Sequence, residues 1–420
     1  MKSEIIAIGS EMLTPFRQDT NSLHLTEKLN DLGVTVAFKT IVGDRRKDLV
    51  NAIRAALGRT DLVVIMGGLG PTEDDLTREA VAEALSLTLR RDSGQVSALA
   101  ARTAALRLPM PVNNLKQADV LEGAMLLPNP NGSAPGQWLD TTWQSYRKLM
   151  ALLPGPPHEC LPLFDAECLP RLRQLLPERH IARRTLRAAM IPESQADKLL
   201  APIYSTYKDI ETTILAHGGD IQLILLCSKA NAVLAQRRVD ELAGRMEEAL
   251  DDWLYSSGGE SSDTSESLEQ IVLYYLGLRQ ATLAVAESCT GGMIAERLTS
   301  VPGSSRAFLG GAVVYSNELK TAFAGVPPEL IASHGAVSHE VAEALASGIR
   351  HSTGATLGLG VTGIAGPTGG SAEKPVGLVY IALSDAQRTD VVEKHFQGGR
   401  DYIRQYATQQ ALDLIRRRLR

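Results

Sequence analysis

The chain has 420 residues, 44% of them hydrophobic and 22% charged, with 43 Lys and Arg against 48 Asp and Glu for a net charge of −5. This length predicts two or three domains, and the composition excludes a mainly disordered chain. The acidic balance speaks against a dedicated nucleic-acid binder, and no apolar run approaches the roughly 18 residues that span a bilayer.

The N-terminus, MKSEIIAIGSE, has an acidic residue inside its first apolar stretch and no signal-peptide layout. The four cysteines are scattered without a CxxC pair, and the histidines form no HExxH pattern. A cytoplasmic protein is expected, without a disulfide framework or a cysteine or histidine metal site.

Apolar strands are predicted at residues 4–9, 34–42 and 61–66, separated by helices at 21–32 and 46–57. A helix at 75–85 and a strand at 149–153 continue the pattern to about residue 176. Apolar strands alternating with helices predict a parallel sheet covered on both faces. The stretch MGGLGPTEDDLTREA, 66–80, begins where the strand 61–66 ends. Gly67, Gly68 and Gly70, with Thr72, are expected to form a tight turn whose N–H groups cradle an anion before a helix that starts near Asp75. Asp74 and Asp75 would hold a hard cation beside that anion, or simply cap the helix.

Residues 183–256 read differently: strands at 185–191, 211–215 and 221–227, then a long helix at 233–254, a small α+β module. The polar run SSGGESSDTSES within 256–267 reads as a flexible linker.

From residue 268 the α/β pattern returns, with strands at 282–286, 308–315, 356–361 and 378–383 and helices at 293–298, 339–351 and 400–419. AESCTGG, 286–292, places Ser288 between a strand and a helix, where free N–H groups bind phosphate or an oxyanion. Ser288 and Thr290 would equally serve as plain helix caps. VVYSNELK, 313–320, offers Lys320 as a base for Ser288, provided burial strips its proton, and Tyr315 as a relay. Cys289 is a rival nucleophile or a core residue. The loop 360–377 carries six glycines and two prolines after a strand, a common setting for phosphate or ribose contacts.

The residues Ser288-Cys-Thr-Gly-Gly, Thr299-Ser-Val-Pro-Gly-Ser-Ser, Tyr315-Ser-Asn-Glu-x-Lys320, Gly335-Ala-Val-Ser and Val361-Thr-Gly-Ile-Ala-Gly-Pro together resemble the CinA C-terminal domain. That resemblance implies hydrolysis of nicotinamide mononucleotide (NMN) to nicotinate mononucleotide and ammonia, without a cofactor. It implies Ser288 as nucleophile, Lys320 as base and Tyr315 as helper. Thr290, Gly291, Gly292, Thr362 and Gly363 would line the nucleotide site. The family's Gly-Asp-Arg reads Gly398-Gly399-Arg400 here, so Arg400, or Arg404 in its place, is the expected phosphate or ribose contact.

Gly9-Ser-Glu11, Asp19-Thr-Asn21, Gly67 to Asp75, Asn131 to Gly136 and Pro154 to Glu159 resemble the MoaB/MogA-like molybdopterin-binding domain found at the N-terminus of full-length CinA proteins. For that branch the resemblance implies a metal-dependent ADP-ribose pyrophosphatase, with Asp44, Asp74, Asp75 and Glu159 as acidic candidates for Mg²⁺ or a similar ion.

The middle segment resembles the KH-like subdomain of full-length CinA. It contains no GxxG clamp, so packing or dimerisation is expected of it and RNA binding is not. The expected fold is therefore two α/β three-layer domains, 1–176 and 268–420, joined by a KH-like module, 183–256, and a linker, 257–267. The resemblance suggests a homodimer acting on NMN and ADP-ribose, with no membrane or nucleic-acid partner. Two alternatives stand beside it: one domain catalytic and the other a nucleotide-binding scaffold, or a competence or recombination accessory protein.

Overall fold

The computed structural model describes residues 1–105, 107, 109–177, 179–258 and 266–420. The chain divides into two compact units, Met1–Ile181 and Ala182–Arg420.

The first unit is built on a six-stranded sheet in the order Thr35–Val42, Lys2–Ile8, Leu62–Met66, Tyr146–Leu153, Gly136–Trp143, Met125–Leu127. The first four strands are parallel; Gly136–Trp143 pairs antiparallel with Tyr146–Leu153, and Met125–Leu127 antiparallel with Gly136–Trp143. Every residue of Leu62–Met66 is buried, as a strand covered on both faces requires. Asn21–Asp31, Pro157–Leu163 and Leu169–Leu175 cover one face, and Arg46–Arg59 and Thr77–Leu85 the other, each over its own apolar core. The acidic residue of the first strand, Glu4, is buried and satisfied by Arg59, whose Nε and Nη2 donate at 2.8 and 2.6 Å. The antiparallel hairpin escapes sequence reading because polar Asp140, Thr141 and Thr142 interrupt its apolar pattern. The helix expected near Asp75 begins at Thr77, and its cap position, Leu76, accepts no side-chain bond, so neither aspartate caps it.

The second unit contains two sheets. One has five strands in the order Phe308–Val313, Leu283–Glu287, Leu357–Gly363, Leu378–Ser384, Thr389–His395. The first three are parallel; Leu378–Ser384 pairs antiparallel with Leu357–Gly363, and Thr389–His395 antiparallel with Leu378–Ser384. Helices Leu268–Leu278, Met293–Thr299 and Arg400–Leu419 cover one face, and Asn317–Ala324, Pro328–His334 and His339–Thr353 the other. In both units the strand order reverses beside the first strand, and loops leaving the carboxyl ends open a crevice there.

The other sheet is the middle segment: Ile210–His217, Asp220–Lys229, His180–Ala189, Leu254–Ser257, with helices Glu193–Tyr204 and Ala232–Leu250. The element order is strand–helix–strand–strand–helix–strand, the split βαβ arrangement of ferredoxin-like type, a small α+β module as expected. The helix Glu193–Tyr204 and the strand Leu254–Ser257 were missed by the sequence reading.

This middle sheet is fused to the five-stranded part of the unit through a common core. Ala189 and Tyr255 pack in one cluster with Leu268, Leu412 and Ile415. The closing helix Arg400–Leu419 is therefore covered on more than one side, and its Gln409, Asp413 and Arg416 are buried. Arg416 donates to Asp413 Oδ1 and to the carbonyls of Leu254 and Asp252, at 2.8, 3.1 and 2.6 Å. The expected linker, 257–267, lies largely outside the described residues. Its described ends are tied down: Ser256 Oγ donates to Glu266 Oε2 at 2.7 Å, and Ser267 caps the next helix. Among the described residues no helix is long and apolar enough to cross a membrane.

Candidate active site

Leu283–Glu287 is apolar until its last residue and runs directly into Ser288. The Ser288 N–H donates to Val361 O at 3.0 Å, and Gly291 N–H returns to Ser288 O at 3.1 Å. Gly291 and Gly292 have φ of +62° and +95°, which explains glycine at both positions. Just past the neighbouring strand Phe308–Val313, Val314 N–H donates to Glu287 O at 2.8 Å. Ser316 Oγ then accepts from Leu319 N–H at 3.3 Å, starting the helix Asn317–Ala324. That helix turns Lys320 inward, where Nζ donates to the carbonyls of Val314 and Tyr315 at 3.0 and 3.4 Å.

Lys320 is 2% exposed and Ser288 7%. Both line one cleft of about 170 Å³, together with Cys289, Tyr315, Asn317, Thr362, Gly363 and Arg400. Among the described residues no carboxylate forms an ion pair with Lys320. Burial lowers its pKa below the ordinary lysine value, against smaller upward pulls from Cys289 and Glu318. Burial likewise pushes the Cys289 thiol up to about 12, outweighing the nearby N–H groups of Cys289 and Thr290. A thiol so held is a poor nucleophile at neutral pH.

The Tyr315 hydroxyl accepts from Arg400 Nη2 at 3.0 Å, and Arg400 Nη1 donates to Gly366 O at 2.9 Å. Tyr315 thus meets Lys320 through its carbonyl, while its hydroxyl meets Arg400. Arg404 Nη2 donates to Thr290 O at 3.0 Å, so it braces the nucleophile turn. Thr362 Oγ1 donates to Ala336 O at 2.7 Å. Thr290, Gly291, Gly292 and Arg404 shape the turn without lining the cleft.

The expectation that the helix start offers open N–H groups to an anion is corrected here. Glu287 Oε2 accepts from Gly292 and Ile294 N–H at 3.0 and 3.1 Å, and Oε1 from Ala295 N–H at 2.9 Å. A carboxylate of the chain fills that place. Sequence reading also missed Asn317 as a cleft residue and Lys374, whose Nζ donates to His334 O and Val337 O at 2.6 and 2.7 Å and holds the opposite wall. Lys374 carried no signal beyond its place in the glycine-rich loop.

In the first unit, Gly67, Gly68, Gly70, Asp44, Asp74, Asp75 and Glu159 all line a cleft of about 600 Å³; Thr72 does not. The glycines answer to packing. A Cβ on Gly67 would meet Ile8 O at 2.5 Å, and one on Gly68 would run into Thr77 Oγ1. Beneath the turn, Arg78 is fully buried and donates to Leu69 O and Gly70 O at 3.0 and 3.1 Å.

Among the described residues no three His, Cys, Asp or Glu side chains converge to hold a metal ion. Asp44 Oδ2 accepts from Ser10 N–H at 2.8 Å, Asp75 Oδ2 from Thr72 N–H at 2.9 Å, and Glu159 Oε2 from Asn129 Nδ2 at 2.7 Å. The acidic set does not fit a metal cage supplied by the protein alone.

The fold and clefts define a class: paired three-layer α/β units, each with a pocket at its strand-to-helix turns. The model of the CinA C-terminal domain matches residues 265–419, and that described as "Probable molybdopterin binding domain" matches residues 4–174. A CinA-like protein of Acidobacterium capsulatum is 65% identical over all of both chains. One from Koribacter versatilis is 54% identical, again over all of both. The solved structure of the competence/damage inducible protein CihA from Agrobacterium tumefaciens is 38% identical, covering 35% of this chain and 90% of that one, with a TM-score of 0.35. The chain belongs to the CinA family.

Proposed function

We propose that the second unit deamidates NMN, with Ser288 as nucleophile and Lys320 as its base. The observation that carries this reading is Lys320: a buried amine bonded to carbonyls, in one cleft with a serine at a strand-to-helix turn. Burial makes a lysine so placed give up its proton more readily than one in water, and only the neutral amine can take the Ser288 proton. Ser288 Oγ then attacks the carboxamide carbon, and the proton held by Lys320 passes to the departing ammonia. Water hydrolyses the resulting ester in the reverse sense. Arg400, at the cleft and bonded among the described residues to neutral oxygens of Tyr315 and Gly366, is suited to take the phosphate.

A second reading concerns the first unit, whose larger cleft sets glycine-turn N–H groups beside carboxylates. It favours a phosphorylated nucleotide, and the family resemblance makes that ADP-ribose. A divalent cation would have to arrive with the diphosphate, because the carboxylates alone do not assemble a cage. Incubating purified protein with NMN and with ADP-ribose, each with and without chelator, tests both. Ammonia release from NMN that ignores chelator supports the first reading; its absence sinks it. Cleavage of ADP-ribose that stops with chelator supports the second.

A further inference from the structure

We infer that Glu287 is a positioning residue for the nucleophile turn: its carboxylate clamps the helix after Ser288 while its backbone carbonyl holds the strand that carries the acceptor of Lys320. The inference rests on the deamidase reading above and deepens it.

A carboxylate at the end of an all-buried strand is costly unless its lone pairs are satisfied. Glu287 is 1% exposed, and among the described residues it has no cationic partner within ion-pair distance. Its two oxygens instead take three N–H groups, from Gly292, Ile294 and Ala295, at 2.9–3.1 Å. These are charge-assisted bonds to the positive end of a helix. They close a ring from Glu287 through Ser288, Cys289, Thr290 and the two glycines back to Glu287. The left-handed glycines would otherwise leave that ring the loosest part of the turn.

The main chain of the same residue serves the other partner. Val314 N–H donates to Glu287 O at 2.8 Å, and Val314 O accepts from Lys320 Nζ at 3.0 Å. The nucleophile and the amine are therefore indexed to one residue. The clamp also excludes an alternative placement of substrate. With its N–H groups taken, this helix start cannot receive a phosphate, which leaves the phosphate to the Arg400 side of the cleft.

The test is Glu287→Gln, whose carboxamide puts an N–H donor against at least one backbone N–H. Expected is a fall in kcat for NMN, per folded molecule, of roughly 10- to 100-fold, with KM changed less than about threefold. Glu287→Asp keeps the charge and should recover part of kcat. Amide hydrogen exchange at Gly292, Ile294 and Ala295 gives a readout independent of activity: slow in the unaltered protein, faster in Glu287→Gln. An unchanged kcat, a loss confined to KM, or unprotected amides in the unaltered protein overturns the inference. If Glu287→Gln does not fold, Glu287→Asp carries the same comparison: a smaller fall in kcat is expected, and no fall at all overturns the inference. If the unaltered protein releases no ammonia from NMN, the deamidase reading fails by itself, and the exchange measurement still decides whether Glu287 holds the turn.

Discussion

Lys320 Nζ lies 3.0 Å from the carbonyl oxygen of Val314, six residues earlier in the chain, so the amine folds back over the start of its own helix. That contact aims a buried cation-former at the cleft and supplies no negative charge to keep it protonated. Replacing the serine beside it is the first check. Ser288→Ala should lower ammonia release from NMN by at least about 10³-fold, with Tm unchanged within about 2 °C, measured by coupled ammonia assay and thermal unfolding.

Lys320→Met should remove most activity yet stabilise the fold. The folded-state pKa of Lys320 lies below the ordinary 10.5. At pH values between the folded and ordinary values the unfolded chain binds more protons, so folding stability rises with pH through that window. Below it, the buried ammonium opposes folding. Methionine removes that opposition, and a Tm gain of roughly 2–4 °C at neutral pH is expected, shrinking as pH rises toward 10. The pH profile of kcat in the unaltered protein should climb through the lowered lysine value, since the neutral amine is the active form. A profile flat from pH 6 to 10 would contradict the assigned base.

Cys289→Ala should retain activity within about threefold, because burial keeps the thiol neutral. The measurement is kcat for NMN together with insensitivity of the unaltered enzyme to thiol alkylation at pH 7. Abolished activity would move the nucleophile one residue along.

The two arginines at the start of the closing helix should separate. Arg400→Ala, at the cleft, is expected to raise KM for NMN about tenfold and to leave kcat nearly intact. Arg404→Ala removes the bond to Thr290 O and should lower kcat by roughly 10-fold, with KM little changed. Both parameters come from one set of steady-state curves.

Asp75→Ala breaks the bonds from the Thr72 N–H and hydroxyl, tightening elements of the turn in the first unit. It should abolish ADP-ribose cleavage, cost about 1 kcal/mol in stability, and leave ammonia release from NMN unchanged. Loss of both activities would mean that the two clefts do not act independently.

The sequence announces the nucleophile turn because its signals are local. An apolar strand ends, two glycines come soon after, and a helix begins. The same holds for the glycine turn at Gly67, although the structure gives its glycines a packing reason, through Ile8 O and Thr77 Oγ1, that no spacing rule contains. What sequence did not disclose are contacts made across the fold. Glu287 is visible as a charge in an apolar strand, but its three N–H partners exist only once the helix has turned back. Arg78, Lys374 and, beyond its bond to Asp413, Arg416 end on backbone carbonyls, which have no residue identity to search for. Within the middle module the helix Glu193–Tyr204 stayed hidden because it contains Pro202, a helix breaker by propensity, and forms nonetheless with Ala196 and Leu200 buried in the core.

The closing helix has a practical consequence for dissecting this chain. A fragment cut before residue 268 would keep every side chain of the smaller cleft, yet Arg416 would lose both carbonyls it now binds. Asp413 would remain its partner, but the guanidinium edge that now meets those carbonyls would face water, and the end of the helix would be freer to fray. The frayed end belongs to the same rod whose first turn presents Arg400. Severing the middle sheet thus reaches the mouth of the pocket from the far end, and the sound place to divide the molecule is just ahead of the strand His180–Ala189, close to the boundary between the two units.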